Sequence, residues 1–259
     1  KFKHEWRTRE EIEQSDEFHR DLHRAASYVK ALLPPPSREG PIRAEWLYQP
    51  SARLGGDAFG YGRLNEDQFV CYLVDVAGHG AGAAMHAVAI MNQLRQRSLP
   101  NTDMAQPEMV LSTLNELFQM EDHAGLYFTI WYGVYNARTR QLDFASGGHH
   151  PAYIVPADRC EAIPLRTRNV VIGAMPAMDF RQDSIVMPAG ASCYLFSDGV
   201  FEIIDKDGAQ WAVDDFVKVI LEPTIEGQSE PQRLFEAVRE CALSKTFDDD
   251  FSIVVVHFD

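Results

Sequence analysis

Along Ile42 to Tyr48 apolar and polar residues alternate, with Ile42, Ala44, Trp46 and Tyr48 on one face and Arg43 and Glu45 on the other. A period of two predicts a half-buried strand. Ala58 to Leu64 and Gln68 to Val76 flank the turn Asn65-Glu66-Asp67 and predict a hairpin. Leu126 to Tyr135, Gln141 to Ala145, Ala152 to Val155, Ser192 to Ser197 and Phe251 to Phe258 are further apolar runs of strand length. Helical spacing takes over from Gly80 to Ser98, where Met85, Val88, Met91 and Leu94 recur, and again over Glu108 to Met120, Asp214 to Leu221 and Glu230 to Leu243. The last of these opens on Ser229-Glu230-Pro231-Gln232, a capping-box pattern. Arg159 to Met187, broken by Pro164, Gly173 and Pro176, predicts short strands and loops.

The first part of the chain has a different texture. From Glu5 to Leu33 the chain is highly charged, while Phe18, Leu22, Ala25, Val29 and Leu32 recur at spacings of four and three. This predicts one helix with a narrow apolar seam, ended by Pro34-Pro35-Pro36. Such a seam packs either on its own domain or on a second copy, and in the second case the helix would relay a signal. The division expected is a coiled-coil-like linker over residues 1–36 and a single domain over residues 37–259. Many hairpin strands with helices in two clusters predict an α+β sandwich of two packed antiparallel sheets flanked by helices.

Composition narrows the function. A net charge of −14 removes the basic footprint that nucleic acid or an anionic membrane surface requires. No apolar stretch approaches the ~20 residues of a membrane-spanning helix, and nothing at the start has the pattern of a signal peptide. A cytoplasmic protein is expected. The chain starts at Lys1, so it is expected to be part of a longer regulator. Cys71, Cys160, Cys193 and Cys241 show no metal or redox spacing, and Cys71 and Cys193 fall inside strand-like runs that suit small buried thiols.

The chemistry is in four acidic stations: Gly55-Gly56-Asp57, Asp75-Val76-Ala77-Gly78-His79-Gly80, Ser197-Asp198-Gly199 and Asp248-Asp249-Asp250. Each lies where an apolar run meets glycine or further acid. Carboxylates at strand ends, with glycines permitting close approach, suit Mg²⁺ or Mn²⁺, which prefer oxygen donors. An ionised Asp198 at the end of a buried strand needs a cation or donor to meet it. The three adjacent charges of Asp248 to Asp250 repel one another unless a cation relieves them. Metal-dependent chemistry on phosphate is expected.

The order Ala-Arg-Leu-Gly-Gly-Asp, Asp-Val-Ala-Gly-His-Gly, Ala-Ser-Gly-Gly-His-His-Pro, Leu-Phe-Ser-Asp-Gly-Val-Phe-Glu and Asp-Asp-Asp-Phe-Ser-Ile-Val-Val-Val resembles the bacterial PPM (PP2C-type) serine/threonine phosphatases of the SpoIIE and RsbU group. The resemblance runs from Ile42 to Phe258. It implies a PP2C-like α-β-β-α sandwich and two Mn²⁺ or Mg²⁺ ions held by Asp57, Asp75, Asp198 and Asp249, with Asp75 bridging the ions and Val76 contributing its backbone carbonyl. Water activated between the ions would attack phosphorus without a covalent intermediate. The implied substrate is a phosphorylated partner protein, an anti-anti-sigma factor in a partner-switching pathway, with a receiver or sensor domain upstream. Arg53 is a candidate phosphate donor, with a surface salt bridge as the equal alternative.

Asp250 is expected to bond its own loop. His79, His149 and His150 are discounted as acids or bases, because His79 lies four residues after Asp75 and the His149-His150 pair sits in a turn. Where the family often carries a second aspartate three residues after the first, this chain has Gly60. Two other functions compete: a low-turnover scaffold with a phosphatase fold, which would not need so many like charges together, and an ATP-binding histidine-kinase-like domain, which lacks here an asparagine-rich helix for Mg²⁺.

Overall fold

Hydrogen bonding between strands sorts the chain into two five-stranded antiparallel sheets. The structure is a computed structural model and describes residues 26–51, 54–244, 246–247 and 249–259. The strands are β1 (Ile42–Gln49), β2 (Asp57–Arg63), β3 (Gln68–Val76), β4 (Phe128–Asn136), β5 (Gln141–Gly147), β6 (Ala152–Val155), β7 (Ile163–Leu165), β8 (Asp183–Val186), β9 (Ser192–Phe196) and β10 (Phe251–Phe258). One sheet has the order β1-β10-β9-β6-β7 and the other β2-β3-β4-β5-β8. Helix α1 is described over residues 26–32; α2 (Ala81–Gln96), α3 (Pro107–Leu117), α4 (Val213–Leu221) and α5 (Glu230–Cys241) follow.

The central strands explain why their sequences are apolar on both faces. Along β10, Val254, Val256 and Phe258 enter the core shared with the second sheet, whereas Phe251, Ile253 and Val255 enter a separate cluster under α4 and α5. In β9, Cys193 and Leu195 go one way and Tyr194 and Phe196 the other. A strand covered on both sides has no polar face to show. On the other flank α2 contributes Ala83, Ala87, Ile90, Met91 and Leu94 to the larger core, and α3 adds Val110, Leu111 and Leu114. The layering is the expected α-β-β-α sandwich.

Several predicted ends move for tertiary reasons. Helix α3 stops at Leu117 rather than Met120, because the Met120 amide donates to Gly173 across the fold at 2.9 Å. Helix α5 stops at Cys241 rather than Leu243, whose amide is taken by Ile204 at 2.8 Å. The predicted capping box at Ser229 does not form: Ser229 makes no side-chain cap, Gln232 bonds Glu236 at 2.7 Å, and the Glu230 amide donates to Glu45 at 3.0 Å. A distant strand residue has replaced the local cap.

Of the amino-terminal seam, Phe18, Leu22 and Ala25 lie outside the described residues. Val29 is buried and Leu32 packs against the main core. Three polar contacts fasten the chain that follows: Arg95 on α2 donates to the Leu32 carbonyl at 3.2 Å, Trp46 to Pro34 at 2.8 Å and Tyr61 to Pro35 at 2.8 Å. The described end of this helix therefore belongs to its own domain.

Candidate metal centre

Antiparallel pairing brings the four acidic stations to one end of the sandwich. Asp57 opens β2 and lies directly opposite Asp75, near the end of β3. In the other sheet β9 ends at Phe196, two residues before Asp198, and its neighbour β10 begins at Phe251, two residues after Asp249. Each sheet thus supplies one pair of acids. They are graded from floor to mouth: Asp57 is buried, Asp75 and Asp198 are half-buried, and Asp249 is exposed.

Glycine lets the segments approach. Gly55 and Gly56 are not at positive φ; what they supply is space. A Cβ on Gly55 would fall 1.7 Å from Asp250 Oδ2, and one on Gly56 would fall 2.5 Å from the Val76 carbonyl oxygen. Gly78 and Gly80, by contrast, have φ of 92° and 96°, a region L side chains avoid, and they turn the chain between Asp75 and α2. At Gly60 a Cβ would lie 2.3 Å from the Tyr72 hydroxyl, so the volume of any side chain at this position is already filled.

Electrostatically the acids press on one another. Burial and then the charges of Asp198, Asp249, Asp250 and Glu202 push Asp75 up to about 8. Asp57 is driven well above the usual carboxylate range by burial, with Asp75 and Asp250 adding to it. Asp198 rises to about 6 through burial, Glu202 and Asp249, against a backbone hydrogen bond from Gly199 that favours its charged form. Like charges directly opposite in a strand pair are destabilising. Among the described residues no group of three or more His, Cys, Asp or Glu forms a ready-made metal cage. The donor chemistry nevertheless fits a hard cation: carboxylates in mutual repulsion beside a closely approached carbonyl.

Asp250 is occupied otherwise, though by segments distant in the chain rather than by its own loop. Its carboxylate accepts from the Ser51 amide at 2.8 Å and the Tyr48 hydroxyl at 3.3 Å, and the Asp57 amide also favours its charged form. It holds the loop that carries Asp57. His149 and His150 are buried, with Nδ1 of each facing the next carbonyl, of His150 at 2.8 Å and of Pro151 at 3.1 Å. His150 also stacks on Phe196, 4.6 Å between ring centres. These imidazoles support a turn, and His79 lies exposed between Gly78 and Gly80. Arg53 and Asp248 lie outside the described residues.

Sequence reasoning missed Glu202, Ser197 and Ser252. Glu202 charges both Asp75 and Asp198. Ser252 Oγ donates to Asp57 Oδ2 at 2.5 Å, and the Ser252 amide donates to Ser197 Oγ at 3.1 Å. All three stand inside the motif segments, one to four residues from an acid, but serine near a strand end is too common to signal a role.

The sequence profile of the family described as Stage II sporulation protein E (SpoIIE) matches residues 65–259. The chain belongs to the SpoIIE family. Curated relatives include the phosphoserine phosphatases RsbU and RsbP of Bacillus subtilis. The chain is 28% identical to RsbU over 61% of its own length and 46% of RsbU. It is 26% identical to RsbP over 71% of its length and 45% of RsbP. It thus spans just under half of these SpoIIE-family relatives. The PP2C domain of SiaA from Pseudomonas aeruginosa shares the fold at a TM-score of 0.78 and 18% identity, covering 95% of this chain and 99% of that domain. A structure of the PP2C phosphatase domain with a fragment of the regulatory domain of SpoIIE from B. subtilis does so at 0.72 and 19%, covering 86% of this chain and 64% of that one. The PP2C-type architecture expected from the sequence is confirmed.

Proposed function

We propose that this SpoIIE-family domain is a metal-dependent protein phosphatase that hydrolyses phosphoserine or phosphothreonine on a partner protein. The observation that carries the proposal is the convergence of Asp57 and Asp75 from one sheet with Asp198 and Asp249 from the other. These four carboxylates, with the Val76 carbonyl, would hold two Mn²⁺ or Mg²⁺ ions, Asp75 being the bridging ligand. When bound, such ions supply an activated water and screen charge on the phosphoryl oxygens. The chain's own part is to fix the acids on rigid strand ends and to keep the site open at Asp249. Cys71 and Cys193 are buried, with burial pushing the Cys71 thiol to about 12, so neither is an available nucleophile; Cys160 and Cys241 are exposed, and alkylation tests them.

The names of RsbU and RsbP support phosphoserine as the substrate group. The finer proposal is an anti-anti-sigma factor as the partner, a cytoplasmic location, and a place as output module of a longer regulator with a receiver or sensor upstream. Among the described residues no helix is long and apolar enough to cross a membrane. Arg53 is the proposed phosphate donor. The test is phosphate release from a phosphoserine peptide by metal-stripped protein, with and without added Mn²⁺. Release that survives exhaustive chelation, or that thiol alkylation alone abolishes, refutes the proposal.

A further inference from the structure

Ser252 is fully buried on β10, yet its side chain reaches the other sheet. Its hydroxyl donates to Oδ2 of Asp57, itself 3% exposed, at 2.5 Å. Its main chain is bound just as firmly to the neighbouring strand. The Ser197 amide donates to the Ser252 carbonyl at 3.0 Å, and the Ser252 amide donates to Ser197 Oγ at 3.1 Å. Ser197 Oγ in turn donates to the Asp250 carbonyl at 3.1 Å. Ser197 precedes Asp198, and Asp250 follows Asp249. Ser252 therefore grips Asp57 with its side chain and, with its backbone, Ser197 in the turn that presents Asp198, while Ser197 Oγ ties that turn to Asp250 beside Asp249.

We propose that Ser252 is a positioning residue for the metal centre: its hydroxyl fixes the Asp57 carboxylate and sets Asp57 and Asp75 in register with Asp198 and Asp249. This rests on the metal reading of Asp57 above. Asp57 faces Asp75 directly across the strand pair, so like charge presses its carboxylate out of that position. A short bond from a buried hydroxyl opposes this by holding the carboxylate in one rotamer. Groups that hold metal ligands from behind typically change affinity about 10–100-fold when removed. The main-chain bonds to Ser197 do not involve the hydroxyl, so Ser252→Ala deletes only the contact with Asp57.

The experiment is Mn²⁺ titration by calorimetry of metal-stripped full chain, well below the melting temperature, for wild type, Ser252→Ala, Ser252→Thr and Asp57→Asn. The expected result is a dissociation constant raised about 10–100-fold in Ser252→Ala, restored to within about threefold by Ser252→Thr, whose hydroxyl can make the same bond. A purely structural serine predicts a lower melting temperature with Mn²⁺ affinity unchanged, and that result overturns the proposal. Should Ser252→Ala not fold, Ser252→Thr and Ser252→Val form an isosteric pair, and equal Mn²⁺ affinity in the two overturns it. If Asp57→Asn binds weakly while Ser252→Ala binds like wild type, only the role of Ser252 fails. If wild type itself takes up no Mn²⁺, the metal reading falls and this proposal with it.

Discussion

Asp57 and Asp75 stand as direct partners across the β2–β3 ladder, two carboxylates placed where a strand pair would ordinarily set opposite charges or apolar side chains. Both are driven upward in pKa by burial first and by neighbouring acids second. A fold that keeps such a pair loses stability to it unless something positive arrives. Neutralising one member should therefore separate function from stability.

Asp75→Asn and Asp249→Asn are expected to lower Mn²⁺-dependent turnover by about 10²–10³-fold or more, the scale of several kcal/mol of lost charge stabilisation. The fold should persist in both. Metal-free Asp75→Asn should melt no lower than wild type, because it relieves repulsion. Wild type should gain thermal stability on adding Mn²⁺, about 2.7 kcal/mol at a hundredfold excess over the dissociation constant, and Asp75→Asn should gain much less. Steady-state kinetics and thermal shift in parallel check this; near-normal turnover of Asp75→Asn at saturating metal would remove it as the bridging ligand.

Acid should remove the stability that the buried imidazoles contribute. Burial lowers His149 to about 4 and holds His150 well below its ordinary value. Both are neutral when folded and titrate near 6.5 when unfolded. The unfolded state therefore binds more protons, and stability is complete above pH ~6.5 and lost as pH falls towards ~4. For His149 alone the loss is about 2–3 kcal/mol. The raised acids Asp75 and Asp198 act in the opposite sense, because they take up protons in the folded state as pH falls, so the imidazole effect is read as the difference between urea unfolding of metal-free wild type and of His149→Gln across this range. An equal slope in both proteins assigns the acid lability elsewhere.

Gly60→Asp, which restores the acid common in the family, should destabilise rather than improve the protein. The new Cβ meets the Tyr72 hydroxyl at 2.3 Å, and overpacking of this kind costs about 1–3 kcal/mol. Tyr72→Leu in the same chain, which removes the ring whose Cζ also lies 2.4 Å from that Cβ, should recover part of the loss. Denaturant midpoints of the three variants decide it, and a Gly60→Asp protein as stable as wild type contradicts the packing explanation.

The amino-terminal helix makes a double prediction. Removing residues 1–36 takes away Val29, Leu33 and the proline carbonyls bound by Trp46 and Tyr61, so the remaining domain should melt at a lower temperature. We also expect the full chain to dimerise through the part of the seam formed by Phe18, Leu22 and Ala25, and the truncated chain to be monomeric. Sedimentation at micromolar concentrations tests this; two monomers of equal activity leave the helix as a local element.

Sequence periodicity alone determined most of the elements. Ile42–Gln49, Ala152–Val155 and Phe251–Phe258 were legible because strand residues carry their burial as alternation or as a continuous apolar run, a local property of the chain. The four acids were legible for a related reason: charge abutting an apolar run and glycine is costly enough to stand out. Helix ends at Leu117 and Cys241 were not, because amides of Met120 and Leu243 are claimed by residues far away in sequence. Only tertiary structure decided that Gly55 is required by Asp250 and not by its own backbone angle, that Gly60 is filled by Tyr72, and that Ser252 holds Asp57 across 195 positions of chain. Contacts of that kind depend on which strands become neighbours. A local pattern fixes which residues form a strand, but neighbour choice is settled by the burial of both faces at once, when the two sheets close on each other and on their helices.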